Sequence, residues 1–107
     1  MSEKQLVDHM LKRLRRHLRV AWVMRYSVAH SMSFTPSGAR FKIGLAGVSD
    51  IIGQLRDGRF LAIEVKVAPR KVTDKQQQFL DRVNHSRGVG FVAYSYSDAE
   101  KMLRMLS

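Results

Sequence analysis

Residues 48–67 read VSDIIGQLRDGRFLAIEVKV, and this stretch decides the fold. Two apolar runs flank the triplet Arg56-Asp57-Gly58, whose composition is typical of a hairpin turn. We therefore predict one strand over 48–55 and a second over 59–67, paired antiparallel through this turn. Side chains alternate between the two faces along each strand, so every second residue of the hairpin points to the same side of the sheet.

The length of the turn decides which residues of the two strands face each other. A two-residue turn over 57–58 would place Ile51 opposite Glu64, an apolar residue against a carboxylate. A three-residue turn over 56–58, with its glycine in a left-handed conformation, pairs Asp50 with Glu64 instead. This second register leaves one face of the hairpin wholly apolar, as a sheet packed on a core requires. We predict the three-residue turn, or an equivalent bulge.

Three charged residues then share one face at the end of the hairpin. Glu64 and Lys66 lie two positions apart on one strand, about 7 Å from each other at ~3.3 Å per residue, and Asp50 lies beside them. Two carboxylates and an ammonium can hold a divalent metal and activate a water molecule, which is the minimal equipment of a metal-dependent phosphodiesterase. The simpler interpretation is a solvated strand face. The neighbouring residues, however, are apolar on both faces, and buried charges need partners.

Two polar residues on predicted helices point towards the protein body. Gln76 is in line with Leu80 on the helix after the hairpin, and Glu3 shares a stripe with Val7 on the first helix. A buried amide and a buried carboxylate need partners, which the face with the three charges would supply. Each residue has another interpretation. Glu3 complements the positive end of its helix dipole, and Gln76 closes a capping box with Thr73.

The rest of the chain predicts three helices and two further strands around the hairpin, in the order α-β-β-β-α-β-α. Trp22, in the first strand, is expected in the core. The predicted elements are a helix over 3–18, a strand over 20–26, a loop over 29–42, a helix over 73–85 ended by a C-cap at Gly88, a strand over 89–95, and a last helix opened by a capping box at Ser97.

Size and charge restrict the class of protein. A chain of 107 residues suits one domain over 1–107, and the lack of cysteine excludes disulfides and cysteine zinc sites. No apolar run approaches the roughly 20 residues of a membrane span. The N-terminus does not resemble a signal peptide, and we expect a cytoplasmic protein. The net charge of +10 indicates a polyanionic partner, with nucleic acid first and an anionic membrane surface second. The simpler interpretation is a solvated basic surface without a partner.

Four short motifs follow one another along the chain. They are GVSDIIG over 47–53, DGR over 57–59, IEVK over 63–66, and Gln76 followed by FL over 79–80. In this order they resemble the VRR-NUC nucleases (virus-type replication-repair nucleases) of the PD-(D/E)xK superfamily. The resemblance also covers Glu3, Arg25 and the segment 88–97, so it spans nearly the whole chain. One departure is Ser49, which stands where proline is usual before the motif aspartate.

The resemblance implies the restriction-endonuclease-like αβββαβ core, an α/β fold in which helices flank a mixed four-stranded sheet. It also implies that Asp50 and Glu64 bind Mg²⁺ or Mn²⁺ together with the carbonyl of Val65. Glu3 would be an additional ligand, direct or through water. Oxygen ligands of this kind are those that hard divalent ions prefer.

By the same resemblance, Lys66 orients or deprotonates the attacking water and stabilises charge on the phosphate, and Gln76 positions Lys66 or the water. The implied activity is that of an endonuclease of phage or bacterial type acting on branched DNA, such as Holliday junctions or flaps. It would work as a homodimer, with neither an organic cofactor nor a membrane partner. Phosphate contacts are expected from Lys12, Arg15, Arg16, Arg19, Arg70 and Lys71.

Two other functions fit parts of the sequence. A basic nucleic-acid-binding module without catalysis explains the net charge but leaves the buried acids without a role. A membrane-surface protein that uses its basic first helix is a weaker third hypothesis.

Overall fold

The computed structural model describes residues 1–26, 32–34, 40–42 and 47–107, the two short segments by their backbone alone. In these ranges five strands lie between the first and second helices, and one more strand lies between the second and third. In chain order the elements are α1 (Glu3–Leu14), β1 (Val20–Arg25), β2 (Met32–Phe34), β3 (Arg40–Lys42), β4 (Ile51–Leu55), β5 (Phe60–Val65), α2 (Asp74–His85), β6 (Val89–Ala93) and α3 (Tyr96–Arg104).

Four strands form the main sheet, in the order β1-β4-β5-β6. β1 pairs antiparallel with β4, β4 antiparallel with β5, and β5 parallel with β6. The parallel pair needs a crossover, which α2 provides between β5 and β6. The fold is therefore the predicted α/β arrangement with a mixed four-stranded sheet flanked by helices.

The β4–β5 hairpin has the predicted register. Ile51 pairs with Ile63, and the Leu55 amide donates to the Arg59 carbonyl at 2.9 Å. Gly58 has φ of 96°, a left-handed conformation that glycine adopts without a Cβ penalty. The three-residue turn predicted from the hydrophobic pattern is confirmed.

The hairpin is buried on one face along its length and on the other face only towards Ala62 and Glu64, since Gln54 and Phe60 are exposed. One face, which includes Ile51 and Ile63, packs against α1 and α3 in the larger core. Met10 and Leu14 of α1 have no exposed surface, and full burial of such side chains contributes about 1.5–3 kcal/mol each. The other face is covered at Ala62 by a smaller cluster with α2. Glu64 lies on this second face, next to α2.

The first helix is shorter than predicted. The capping box at Ser2 is present, but α1 ends at Leu14, and Leu18 is 87% exposed. The chain tightens after Leu14, since the His17 amide donates to the Leu14 carbonyl at 3.0 Å. The His17 ring then accepts from the Arg19 amide at 3.1 Å, which turns the chain towards β1.

The predicted C-cap of α2 was wrong by one residue, and the predicted N-cap of α3 was wrong by two. Arg87, with φ of 67°, takes the left-handed position after α2, and Gly88 follows it, its amide donating to the Val83 carbonyl at 2.8 Å. This is a Schellman motif with arginine at the usual glycine position. At the start of α3 the N-cap is Ser95 and not Ser97, because the Ser95 hydroxyl accepts from the Asp98 amide at 3.2 Å.

Two further expectations need correction. Within the predicted loop over 29–42, the described segments β2 and β3 pair antiparallel; the rest of that loop lies outside the described residues. Trp22 is 44% exposed, and its indole nitrogen donates to Gln54 Oε1 at 3.1 Å. It therefore belongs to an open part of the sheet face and not to the core. In the ranges described, every helix is too short or too polar to cross a membrane.

Candidate active site

Asp50 and Glu64 meet because β4 and β5 run antiparallel, which places the start of one strand beside the end of the other. Asp50 directly precedes β4, and its Oδ2 accepts a hydrogen bond from the Val65 amide at 2.9 Å. The Tyr26 amide donates to the Asp50 carbonyl at 2.8 Å, which fixes the backbone from the other side. Both bonds hold the aspartate at the end of β5, where the predicted register requires it.

Glu64 and Lys66 are almost completely buried. Their exposed fractions are 1% and 4%, and Lys66 Nζ lies 3.8 Å from Glu64 Oε1. At that distance the two groups attract each other without a normal hydrogen bond. Burial of an ion pair costs desolvation energy that a single long contact does not offset. A structural role alone therefore explains these two charges poorly.

The site holds more negative charge than its one ammonium can neutralise. Burial, followed by the carboxylates of Asp50 and Glu3, raises the pKa of Glu64 to about 8, against the opposing effect of Lys66. A carboxyl with so high a pKa takes up a proton near neutral pH unless a cation replaces it. The electrostatics of the site thus favour an added positive charge.

The oxygens of the site fit a divalent cation. Glu64 Oε2 and Glu3 Oε2 are buried, and neither has a hydrogen-bond partner among the described residues. Within the same ranges, no three side chains of His, Cys, Asp or Glu form a complete metal-binding group. A cation held by Asp50 and Glu64 would therefore fill its remaining positions with backbone oxygen and water, as small divalent ions commonly do.

Glu3 reaches this end of the sheet from the first turn of α1. Its Oε2 lies 3.8 Å from Arg70 Nη1. Arg25, at the end of β1, forms an ion pair with Asp8 and donates to the Lys4 carbonyl at 3.3 Å, which ties the start of α1 to the sheet. Glu3 thus lies close enough to raise the pKa of Glu64, and it also lies near the positive end of its own helix.

Gln76 occupies the N-terminal turn of α2 and closes the capping box. Its side-chain Oε1 accepts from the Thr73 backbone amide at 2.9 Å, and its backbone amide donates to Thr73 Oγ1 at 3.2 Å. Gly47 packs against this turn, because a Cβ there would lie 2.3 Å from the Lys75 carbonyl oxygen. The backbone that leads to Asp50 therefore contacts α2, although the side-chain Oε1 of Gln76 serves the cap.

One polar residue of the site was not singled out from the sequence. Ser49 is fully buried, and its hydroxyl has no hydrogen-bond partner among the described residues. Sequence reasoning treated it only as a departure from proline. The available signal was its position directly before the motif aspartate at the start of an apolar strand, where a hydroxyl is expected to be buried and to need a partner.

The six cations predicted to contact phosphate fall into two groups, and all six are exposed. Arg70 and Lys71 lie beside Glu3. Lys12, Arg15, Arg16 and Arg19 lie at the other end of α1, near the turn of the hairpin, where the Arg56 amide donates to the Arg19 carbonyl at 2.9 Å. The length of the sheet separates the two groups. Sequence reasoning did not include Arg13 and Arg104, which line a groove with the second group.

Comparisons with known proteins agree with this architecture. The family model described as the VRR-NUC domain matches residues 2–96. A solved structure described as a VRR_NUC domain protein is similar to this chain with a TM-score of 0.60 and 15% sequence identity, covering 97% of this chain and 86% of the other. At that identity the similarity supports the fold alone. No curated protein matches the chain significantly.

Proposed function

The chain belongs to the VRR-NUC domain family of nucleases, and from this premise we propose that it is a single nuclease domain that hydrolyses DNA phosphodiester bonds with Mg²⁺ or Mn²⁺. The observation that carries the proposal is the hydrogen bond from the Val65 amide to Asp50 at 2.9 Å. It brings a second carboxylate to a buried Glu64 and Lys66, which are otherwise costly to bury.

Four groups would hold the divalent ion: the carboxylates of Asp50 and Glu64, the carbonyl of Val65, and Glu3 either directly or through water. The partnerless oxygens of Glu64 and Glu3 support this set. A bound ion of this kind lowers the pKa of its water and neutralises charge on the phosphate.

Lys66 would orient or deprotonate the attacking water and stabilise the negative charge that develops on the phosphate. Hydrolysis forms a bond between the water oxygen and phosphorus and breaks the bond to the leaving oxygen, which must then take up a proton. Lys66 is 4% exposed, so its ammonium acts in surroundings that hold little water, where electrostatic stabilisation is strong. Gln76 would position Lys66 or the water from the first turn of α2.

The substrate we propose is branched DNA, such as a Holliday junction or a flap, cut by a homodimer. A symmetric four-way junction matches a two-fold dimer. The net charge of +10 favours contacts to phosphate, which carry little base information and give selectivity for shape. Such binding depends steeply on salt.

The experiment that tests the proposal uses a panel of junction, flap, nicked and single-stranded DNAs with Mg²⁺ or Mn²⁺. We expect cleavage by the wild-type protein and loss of cleavage by Lys66→Gln, with DNA binding retained. Lys101→Gln, which removes an exposed lysine of α3, is the matched control and should cleave normally. Circular dichroism checks that Lys66→Gln is folded. Absence of cleavage by the wild type on every substrate would favour a binding module instead.

A further inference from the structure

A groove of about 1050 Å³ lies between the end of α1 and α3. It is at the opposite end of the sheet from the candidate active site. One carboxylate, Glu100, and the aromatic ring of Tyr96 also line it. Six cationic side chains line the groove: Lys12, Arg13, Arg15, Arg16, Arg19 and Arg104.

The carboxylate of the groove is already engaged inside the protein. Glu100 Oε2 lies 2.8 Å from His17 Nε2 and accepts from the Tyr96 hydroxyl at 3.2 Å. Its other oxygen lies 3.4 Å from Arg104 Nε. Arg13 lies over the Tyr96 ring, 4.4 Å from its centre. Glu100 thus fixes the wall of the groove and leaves little negative charge for the other cations.

Four cations of the groove remain available to a ligand. In the part of the chain that the structure describes, Lys12, Arg15, Arg16 and Arg19 form no ion pair with a carboxylate. Their mutual repulsion is a cost to the folded protein unless an external polyanion offsets it. A row of phosphates supplies the charge, and the planar fork of arginine suits phosphate oxygens.

The distance to the active site can be read from α1. Glu3 is its first residue and Leu14 its last, so the 12 residues of the helix extend about 18 Å at ~1.5 Å per residue. The groove begins at this far end. Phosphates of one DNA strand are ~3.4 Å apart along the axis, so the groove lies about five to seven base pairs from Glu3, at the active-site end of α1.

We propose that this groove is a second phosphate-binding site, which holds the backbone of the DNA duplex about five to seven base pairs from the phosphate that is cleaved. The inference rests on the proposed function and extends it to the length of duplex that the protein needs. A concave groove between two helices fits a ridge of phosphates. A membrane would instead require a broad apolar face, and Leu18 is the one exposed large aliphatic side chain among the residues that line the groove.

The test measures binding in EDTA, so that no cleavage occurs, to hairpin stems of about 4, 8, 12 and 16 base pairs. Wild-type affinity should rise once the stem is long enough to reach both ends of α1. The double variant Arg15→Gln/Arg16→Gln should lose this gain. Arg82→Gln/Lys101→Gln makes the same change in net charge on other exposed surfaces and should keep it.

The salt dependence gives the expected size of the effect. Loss of two phosphate contacts should reduce the slope of log K against log salt by about two, and weaken long-stem binding roughly ten- to thirty-fold at physiological salt. The inference is overturned if the groove variant and its control lose affinity equally. It is also overturned if the groove variant loses binding to anionic vesicles while its DNA binding stays at the level of the wild type.

Together with the cleavage assay on the DNA panel, these binding measurements separate this inference from the proposed function. Cleavage by the wild type without any length dependence of binding would refute the groove and leave the nuclease standing. A length-dependent loss of binding in the groove variant, with no cleavage by the wild type, would support the groove and refute the nuclease.

Discussion

Replacement of Glu64 by glutamine should stabilise the metal-free protein near pH 8 and abolish cleavage. Glu64 is 1% exposed, and burial, Asp50 and Glu3 raise its pKa to about 8 against the opposing effect of Lys66. The folded protein must therefore either bury a carboxylate or hold a proton on it. Glutamine keeps the volume and can donate a hydrogen bond to Asp50, but it carries no charge.

The size of the effect follows from the difference between the folded and unfolded pKa values. The unfolded chain releases the Glu64 proton above about 4.5, whereas the folded chain keeps it until about 8. Because the folded state binds the proton more tightly, stability falls as pH rises through this window. At ~1.4 kcal/mol per pKa unit, the wild type should be about 4 kcal/mol less stable than the variant at pH 8 and about 1 kcal/mol less stable at pH 5.

The assay is urea denaturation in EDTA, followed by circular dichroism, at several pH values from about 5 to 8. Asp57→Asn is the matched control. That exposed carboxyl has its pKa lowered by hydrogen bonds from Arg59, so it is ionised in both states across this range. Its removal should change stability by an amount that does not depend on pH between these limits.

Two results would refute this reasoning. One is a difference in stability between wild type and Glu64→Gln that does not grow as pH rises. The other is a variant less stable than the wild type near pH 8. Added Mg²⁺ or Mn²⁺ provides an independent check, since a ligand that binds the folded state stabilises it. The ions should raise the unfolding free energy of the wild type at pH 8 far more than that of the variant.

Three substitutions at backbone positions test the fold that supports the site. Gly58→Ala should cost about 1–2 kcal/mol through backbone strain alone, because φ is 96° whereas no atom lies within 4 Å of a new Cβ; an unchanged urea midpoint would contradict the turn. Arg87→Gly should stabilise the protein by about 0.5–1 kcal/mol, since φ is 67°, and a loss of stability would be the contrary result. Gly47→Ala should reduce cleavage more than Gly58→Ala does, because its Cβ would lie 2.3 Å from the Lys75 carbonyl oxygen; equal cleavage rates would show that this contact does not position Asp50.

The hairpin register could be predicted because a slip of one residue moves every side chain to the other face. Only one register kept Ile51 opposite Ile63, and that pairing is observed. Helix ends were harder, because neighbouring residues offered competing signals. Ser95 and Ser97 are both good N-caps by type, and the structure uses Ser95. Such choices depend on where the preceding strand stops, which local sequence does not specify.

The sequence likewise predicts some features of the candidate site and not others. The approach of Asp50 to Glu64 follows from the register, and the burial of Lys66 follows from the apolar residues around it. The separation of the basic residues does not follow from sequence. Helical periodicity shows that Arg15 is exposed, but only tertiary packing decides which end of the sheet it lies beside. Which of these cations contact DNA stays a prediction.

The active site and the groove at the two ends of α1 differ in their electrostatic effect on DNA. The carboxylates of Asp50 and Glu3 repel phosphate, so the site by itself offers DNA little attraction until a cation is bound. The groove at the far end of α1 is about 18 Å away, beyond the ~8 Å over which charges act at physiological salt. Its attraction for DNA is therefore not cancelled by the acids of the site. Affinity for duplex should depend mainly on the groove and on salt, whereas cleavage should depend on the ion held at the end of the hairpin.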